Sequence, residues 1–184
     1  MIERIIENVR SNTPLIHCIT NYVTVNDVAN VLLACGASPI MADDINEAAE
    51  ITSICSGLDI NIGTLNTRTI EAMIKAGKKA NELGHITVLD PVGAGASKLR
   101  TDTAFELLKE IRFSVIRGNI SEIKSLYQGS STLNGVDAIV FTAGVGENDG
   151  IVRKEVCKYL GYLGVQYDEA SSSVRGKEAT LSTS

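Results

Sequence analysis

Short apolar runs alternate with longer helical periods through most of this chain, and that alternation admits few folds. PLIHCIT (14–20), SPIM (38–41), LDINIG (58–63), HITVLD (85–90) and FSVIRG (113–118) read as strands. Between them, Val25, Val28, Ala29, Leu32 and Leu33 recur at helical spacing up to Gly36. Helices are also predicted over 45–55, 67–83, 102–111 and 121–127. Strands separated by helices of this length form βαβ units and a mostly parallel sheet. HITVLD is apolar almost throughout, as expected of a strand covered on both faces. With no Trp and 4% aromatic residues, the core has to be built from aliphatic side chains and Ala.

At 184 residues the chain suits one domain, or a domain plus a fragment. A net charge of −5 supplies no basic face, which argues against nucleic acid or an anionic membrane as partner. No apolar run approaches the roughly 18 residues of a membrane helix. Acidic residues interrupt MIERIIENVRSN, so it does not read as a secretory signal, and a cytoplasmic protein is expected. Cys18, Cys35, Cys55 and Cys157 lack CxxC spacing and read as buried free thiols.

Three stretches carry chemistry. In HITVLD-PVGAGAS, Asp90 ends a strand, where open α/β sheets bind ligands. Gly93 and Gly95 permit positive φ and could leave N–H groups uncovered for an anion. A plain βα turn is the other reading. In RGNISE (117–122), Arg117 suits a phosphate, while Asn119 and Glu122 offer oxygen ligands for Mg²⁺ across a helix start. The same pair also fits a helix cap. In the first βα segment, His17, Asn21 and Asn26 surround a strand-to-helix loop. His17 reads as a core histidine or a functional one, and Met41 as a core residue or a pocket wall.

Taken together, HCITNYVTVNDVANVLLACGASPIMADDINEAAEI, LDINIGTLNTRTIEAMIKAGKKANELGHITVLDPVGAGASKLRT and VIRGNISEIKSL resemble the hydroxyethylthiazole kinase family. These are thiamine-salvage enzymes of the ribokinase-like fold, with a mostly parallel sheet flanked by helices. The resemblance runs from residue 1 to about 135. It implies phosphoryl transfer from ATP to the alcohol of 4-methyl-5-(2-hydroxyethyl)thiazole, with Mg²⁺, in a homotrimer. By it, Met41 and Asn21 contact the thiazole and Arg117 binds ATP phosphate. Asn119 and Glu122 organise the metal, with Asp90 near metal and phosphates.

Past 135 the expected continuation is not recognisable, and the family's late glycine-rich turn, which supplies the catalytic donors, has no equivalent before Ser184. Residues 136–184 are instead similar to the carboxyl-terminal part of acetate kinase, a different α/β fold. There Gly144 and Gly146 of GVGEN would lie at the nucleotide, and Asn148 and Asp149 would open a helix. The expected organisation is thus a kinase portion over 1–135, its sheet incomplete at the carboxyl end, fused to an acetate kinase-like fragment. One alternative keeps DAIVFTAG (137–144) as the next parallel strand after FSVIRG, with Thr142 at its end in an ATP-binding position. The readings of function are an impaired thiazole kinase, a non-catalytic chimera that binds nucleotide or thiazole, a ribokinase-like kinase of another small alcohol, and acetate kinase activity.

Overall fold

The computed structural model describes residues 2–129, 137–142, 150–159 and 168. Its strands are β1 (Leu15–Ile19), β2 (Ser38–Ile40), β3 (Gly57–Asn61), β4 (Ile86–Asp90), β5 (Val115–Gly118) and β6 (Ala138–Phe141). Its helices are α1 (Ile2–Asn12), α2 (Val25–Cys35), α3 (Ala48–Ile54), α4 (Thr67–Glu82), α5 (Lys98–Glu110), α6 (Ile120–Gly129) and α7 (Gly150–Tyr159). The strands form one six-stranded sheet in the order β2-β1-β3-β4-β5-β6. Every pairing is parallel. This is the mostly parallel, helix-flanked sheet that the alternation predicts.

Strand order fixes where the helices lie. The step from β1 to β2 runs opposite to all later steps. Right-handed crossovers therefore place α2 on one face and α3 to α6 on the other. On the second face, Leu58, Ile60, Leu89 and Ile116 meet Ala72, Met73 and Ala76 of α4 and Ala104 and Leu107 of α5. The small side chains of α4 let its backbone approach the sheet, and Phe113 fills the remaining space with an aromatic ring that is 1% exposed. Burying each large aliphatic side chain contributes about 1.5–3 kcal/mol.

Helix ends follow local sequence. Asn66 caps α4, accepting from Thr69 N–H at 3.1 Å, while Asn66 N–H donates to the Thr69 hydroxyl. Ser97 caps α5 through Arg100 N–H, so that helix begins at Lys98, ahead of the predicted 102. The predicted helix over 45–55 is shortened to Ala48–Ile54, because Asp44 Oδ1 accepts from Asn46 N–H at 2.9 Å and holds a turn before it. α1 was not expected, although Ile2, Ile5, Ile6 and Val9 recur at helical spacing between its charged residues.

Strand β6 extends the sheet. Its register runs from Val115↔Ala138 to Gly118↔Phe141, and Thr142 N–H donates to Gly118 carbonyl oxygen at 2.9 Å. The alternative reading of DAIVFTAG as the next parallel strand describes this arrangement. Cys18, Cys55 and Cys157 are buried free thiols and Cys35 is half-buried. Among the described residues, no helix is long and apolar enough to cross a membrane.

Gly77 of α4 faces Ile111, and a Cβ there would sit 2.1 Å from Ile111 Cδ1 and 2.6 Å from Cγ1. Gly77→Ala gains about 1 kcal/mol of helix preference but overpacks the core at a cost of about 1–3 kcal/mol. A lower urea midpoint is expected, corresponding to a net loss of about 1 kcal/mol.

Candidate active site

All six strands point their carboxyl ends to one edge, where open α/β sheets bind ligands. Polar side chains collect there because the central strands alternate. Leu58 and Ile60 of β3 pack into the helix-covered core, so Asp59 and Asn61 project from the opposite face. Register then sets Asn61 opposite Asp90.

Asp90 is 8% exposed and needs partners. Arg117 Nη1 donates to its Oδ2 at 2.5 Å, and Asn61 Nδ2 donates to the same oxygen at 3.0 Å. Asn61 Oδ1 accepts from Asn21 Nδ2 at 3.1 Å and from Gly63 N–H at 2.8 Å. Asn21 Oδ1 in turn accepts from the backbone N–H and the hydroxyl of Thr24, both at 3.1 Å. Three of the sequence-predicted site residues, Asn21, Asp90 and Arg117, thus belong to one hydrogen-bonded chain. Its central member, Asn61, escaped the sequence reading.

Asn119 and Glu122 form the capping arrangement. Glu122 N–H donates to Asn119 Oδ1 at 3.0 Å, and Asn119 N–H donates to Glu122 Oε2 at 2.8 Å. Glu122 also reaches across to the β4–α5 loop, where its Oε1 accepts from Gly93 N–H at 2.9 Å. The cap of α6 therefore fixes the loop that follows Asp90.

That loop differs from an open anion cradle. Gly93 and Gly95 have φ of +75° and +87°, the left-handed backbone their sequence position suggested. Their N–H groups, however, are engaged within the chain. Gly93 donates to Glu122, and Gly95 donates to the Thr101 hydroxyl at 2.9 Å. Ala94 and Ala96 N–H groups donate to Pro91 and Gly93 carbonyl oxygens. The plain βα turn is what forms. The glycines also serve close packing: a Cβ on Gly93 would meet Arg100 Nη1 at 2.5 Å, and one on Gly95 would meet Ser125 Oγ at 2.2 Å. Arg100 uses this space to donate from Nη2 to Gly63 carbonyl oxygen at 2.9 Å, bracing the loop after β3.

The remaining predicted residues stand at the margins. Met41 follows β2 on one edge of the sheet and is 37% exposed. Thr142 follows β6 on the other edge, half-buried. At about 4.8 Å per strand, the two edges lie roughly 24 Å apart. Asn26 is exposed on α2. Gly144, Gly146, Asn148 and Asp149 lie outside the described residues. His17 is a satisfied core histidine. It is fully buried, with Nδ1 2.9 Å from the Thr52 hydroxyl and Nε2 2.7 Å from Ala42 carbonyl oxygen. Burial holds its pKa below the ordinary value, so a neutral ring donates from Nε2 and pins the backbone just after Met41.

Electrostatics mark the same face. Burial pushes the Asp90 carboxyl up, Arg117 pulls it down, and Glu122 adds a further upward push. Asp59 is pushed up to about 6 by burial and then by Asp90, against Arg117. The charge of Asp90 thus disfavours ionisation of Asp59 on the same face of the sheet. Among the described residues there is no cluster of three or more acidic, His or Cys side chains that would hold a metal unaided.

Residues 6–154 match the model of the hydroxyethylthiazole kinase family. The chain belongs to that family. It is 69% identical over 140 residues to hydroxyethylthiazole kinase of Clostridium acetobutylicum, covering 76% of this chain and 51% of that protein. It is 60% identical over 161 residues to the Ruminiclostridium cellulolyticum hydroxyethylthiazole kinase, covering 87% and 58%. The solved hydroxyethylthiazole kinase structure from Pyrococcus horikoshii OT3 superposes with a TM-score of 0.69 at 38% identity, covering 85% of this chain and 53% of that one. The fold is accordingly ribokinase-like. The chain spans about half the length of the curated relatives it matches.

Asp59 gives a test of this electrostatic picture. A carboxyl whose folded pKa is raised contributes stability that is present at low pH and lost as pH rises through about 6. Asp59→Asn should raise the urea-derived stability at pH 7.5 by about 1–3 kcal/mol, and by much less at pH 4. An equal change at both pH values would contradict the buried charge.

Proposed function

We propose that this chain phosphorylates the primary alcohol of 4-methyl-5-(2-hydroxyethyl)thiazole, with ATP as donor and Mg²⁺ as the metal, in thiamine salvage. One observation carries the reading beyond membership of the family. The hydrogen-bonded chain from Asn21 through Asn61 to Asp90 and Arg117 joins the residues assigned to the thiazole with those assigned to phosphate. Such catalysis is mostly positioning and charge neutralisation.

Arg117 suits the phosphate role. Its side chain is 52% exposed while Asp90's is 12% exposed, so the guanidinium presents donors to solvent while its partner stays buried. Asp90, Asn119 and Glu122 are the oxygen donors that would hold Mg²⁺, which would neutralise charge on the transferred phosphoryl group. Met41 would flank the thiazole ring. Thr142, beside Gly118 on the neighbouring strand, would serve the nucleotide. Gly144 and Gly146, outside the described residues, would also bind the nucleotide. We place the enzyme in the cytoplasm as a homotrimer, with a kinase portion that runs past residue 135 to take in β6 and an acetate kinase-like fragment confined to the residues after the family match.

A second reading, a chain that binds nucleotide and thiazole without turnover, draws support from the β4–α5 loop, whose Gly93 and Gly95 N–H groups are already engaged within the chain. Mg²⁺-dependent ADP release separates the two, with the thiazole alcohol and acetate offered separately. Release with the thiazole alone is expected. Binding of both ligands without release would favour the second reading, and release with acetate would transfer the activity to the tail. Arg117→Met should weaken Mg·ATP binding by about 10- to 100-fold, the worth of a charge-assisted hydrogen bond. Unchanged affinity in titration calorimetry would remove Arg117 from the phosphate site. Thr142→Ala should weaken it less, since a neutral hydroxyl contributes about 0.5–1.5 kcal/mol.

A further inference from the structure

Asn61 bridges two groups of opposite demand, and the backbone dictates which way its amide points. Thr24 N–H can only donate, so the atom of Asn21 that faces it is the carbonyl oxygen. Asn21 therefore turns its NH₂ toward Asn61. Gly63 N–H likewise can only donate and also lies on the Asn61 oxygen. The Asn61 NH₂ is left facing Asp90 Oδ2. Every donor in the series then points the same way, from Thr24 to Asn21 to Asn61 to Asp90, with Arg117 arriving at the same carboxylate oxygen from the other side. Hydrogen bonds aligned in series polarise one another. Whatever changes the load that Arg117 places on Asp90 changes the pull on Asn61, and through it the pull on Asn21.

Packing holds this amide in place. A Cβ on Gly63 would lie 2.9 Å from both Asn21 Cβ and Asn61 Oδ1, so the loop after β3 closes tightly over the Asn21–Asn61 contact. Arg100 clamps the same loop through Gly63 carbonyl oxygen. The other end of Asn61 is set by strand register, which places it opposite Asp90.

We propose that Asn61 is a positioning residue that couples the thiazole side of the site to the phosphate side, so that filling one tightens the other. The proposal rests on the function proposed above. Aspartate at this position is the informative replacement. It keeps an acceptor for Gly63 and Asn21 but removes the donor to Asp90 and sets carboxylate against carboxylate.

Calorimetry would measure the affinity for 4-methyl-5-(2-hydroxyethyl)thiazole with and without saturating Mg²⁺ and a non-hydrolysable ATP analogue. In parallel, the side-chain NH₂ resonances of Asn21 would be followed by nitrogen-correlated NMR as the analogue is added. In the parent chain the analogue should tighten thiazole binding about fivefold or more and shift the Asn21 NH₂ signals. In Asn61→Asp each ligand should still bind alone, while the ratio falls to within about twofold of unity and the Asn21 signals stop responding. A structural role alone would weaken both ligands and leave the ratio intact. Should Asn61→Asp fail to give a cooperative melt, Asn61→Ser removes both ends of the amide without adding charge and reads the same ratio. A parent chain that binds both ligands with no coupling overturns the proposal while the function stands. So does an Asn61 variant that keeps the coupling. A parent chain that binds neither ligand overturns the function, and this proposal with it.

Discussion

Asp90 is the residue around which the site is assembled. A carboxylate that is 8% exposed costs several kcal/mol unless charged or polar partners surround it. Those partners come from the neighbouring strands on both sides: Asn61 at the end of β3 and Arg117 on β5. Parallel pairing makes both available, since register sets Asn61 opposite Asp90 and carries Arg117 up beside it. The loops follow from there. Glu122 ties the backbone just after Asp90 to the start of α6, and Arg100 ties the start of α5 to the loop after β3. Losing the Asp90 carboxylate would leave Arg117 and Asn61 without their shared acceptor and disturb both loops together. In the proposed reaction, this is how a site made from loops acquires the rigidity of the sheet.

What could be read from the sequence depends on the range over which each signal acts. Strand and helix identities were legible because alternation and helical spacing are local and repeated many times. The Asn119–Glu122 pair was legible as a cap because capping is decided within four residues, and both of its hydrogen bonds form. Positive φ at Gly93 and Gly95 was legible for the same reason. The engagement of their N–H groups was not, since the acceptors on Glu122 and Thr101 arrive through the packing of α6 and the first turn of α5. Asn61 and Asp59 did leave a trace: LDINIG places two polar side chains on one face of an apolar strand. Their meaning depended on knowing that β3 lies between β1 and β4, which is a matter of topology.

Strand β6 shows how far sheet pairing alone can carry an assignment. Parallel hydrogen bonding accepts many apolar sequences, but the choice of face is stricter. Ile139 and Phe141 pack against the core, while Val140 is 44% exposed on the opposite face. A slip of one residue would exchange these roles and bury the wrong set. The facing of β6 therefore follows from AIVF itself, and the observed register brings Thr142 beside Gly118, one residue from Asn119. The family match, running through residue 154, spans this strand.

The six strand ends then read as a sequence of tasks. In the proposed reaction, Met41 and Asn21 at β2 and β1 would receive the alcohol. Asp90 and Arg117 at β4 and β5 would receive the phosphates, and Thr142 at β6 the nucleotide. Between the first pair and the second lies β3, which brings no group of its own to either ligand in this scheme. Its end is occupied by a side chain that satisfies both neighbours, and an amide suits that place because it carries a donor and an acceptor on one rigid plane. A carboxylate would repel Asp90, a lysine would lack an acceptor for Asn21 and Gly63, and an apolar residue would strand those two donors and leave Asp90 to Arg117 alone. The identity of Asn61 is thus set by what stands on either side of it.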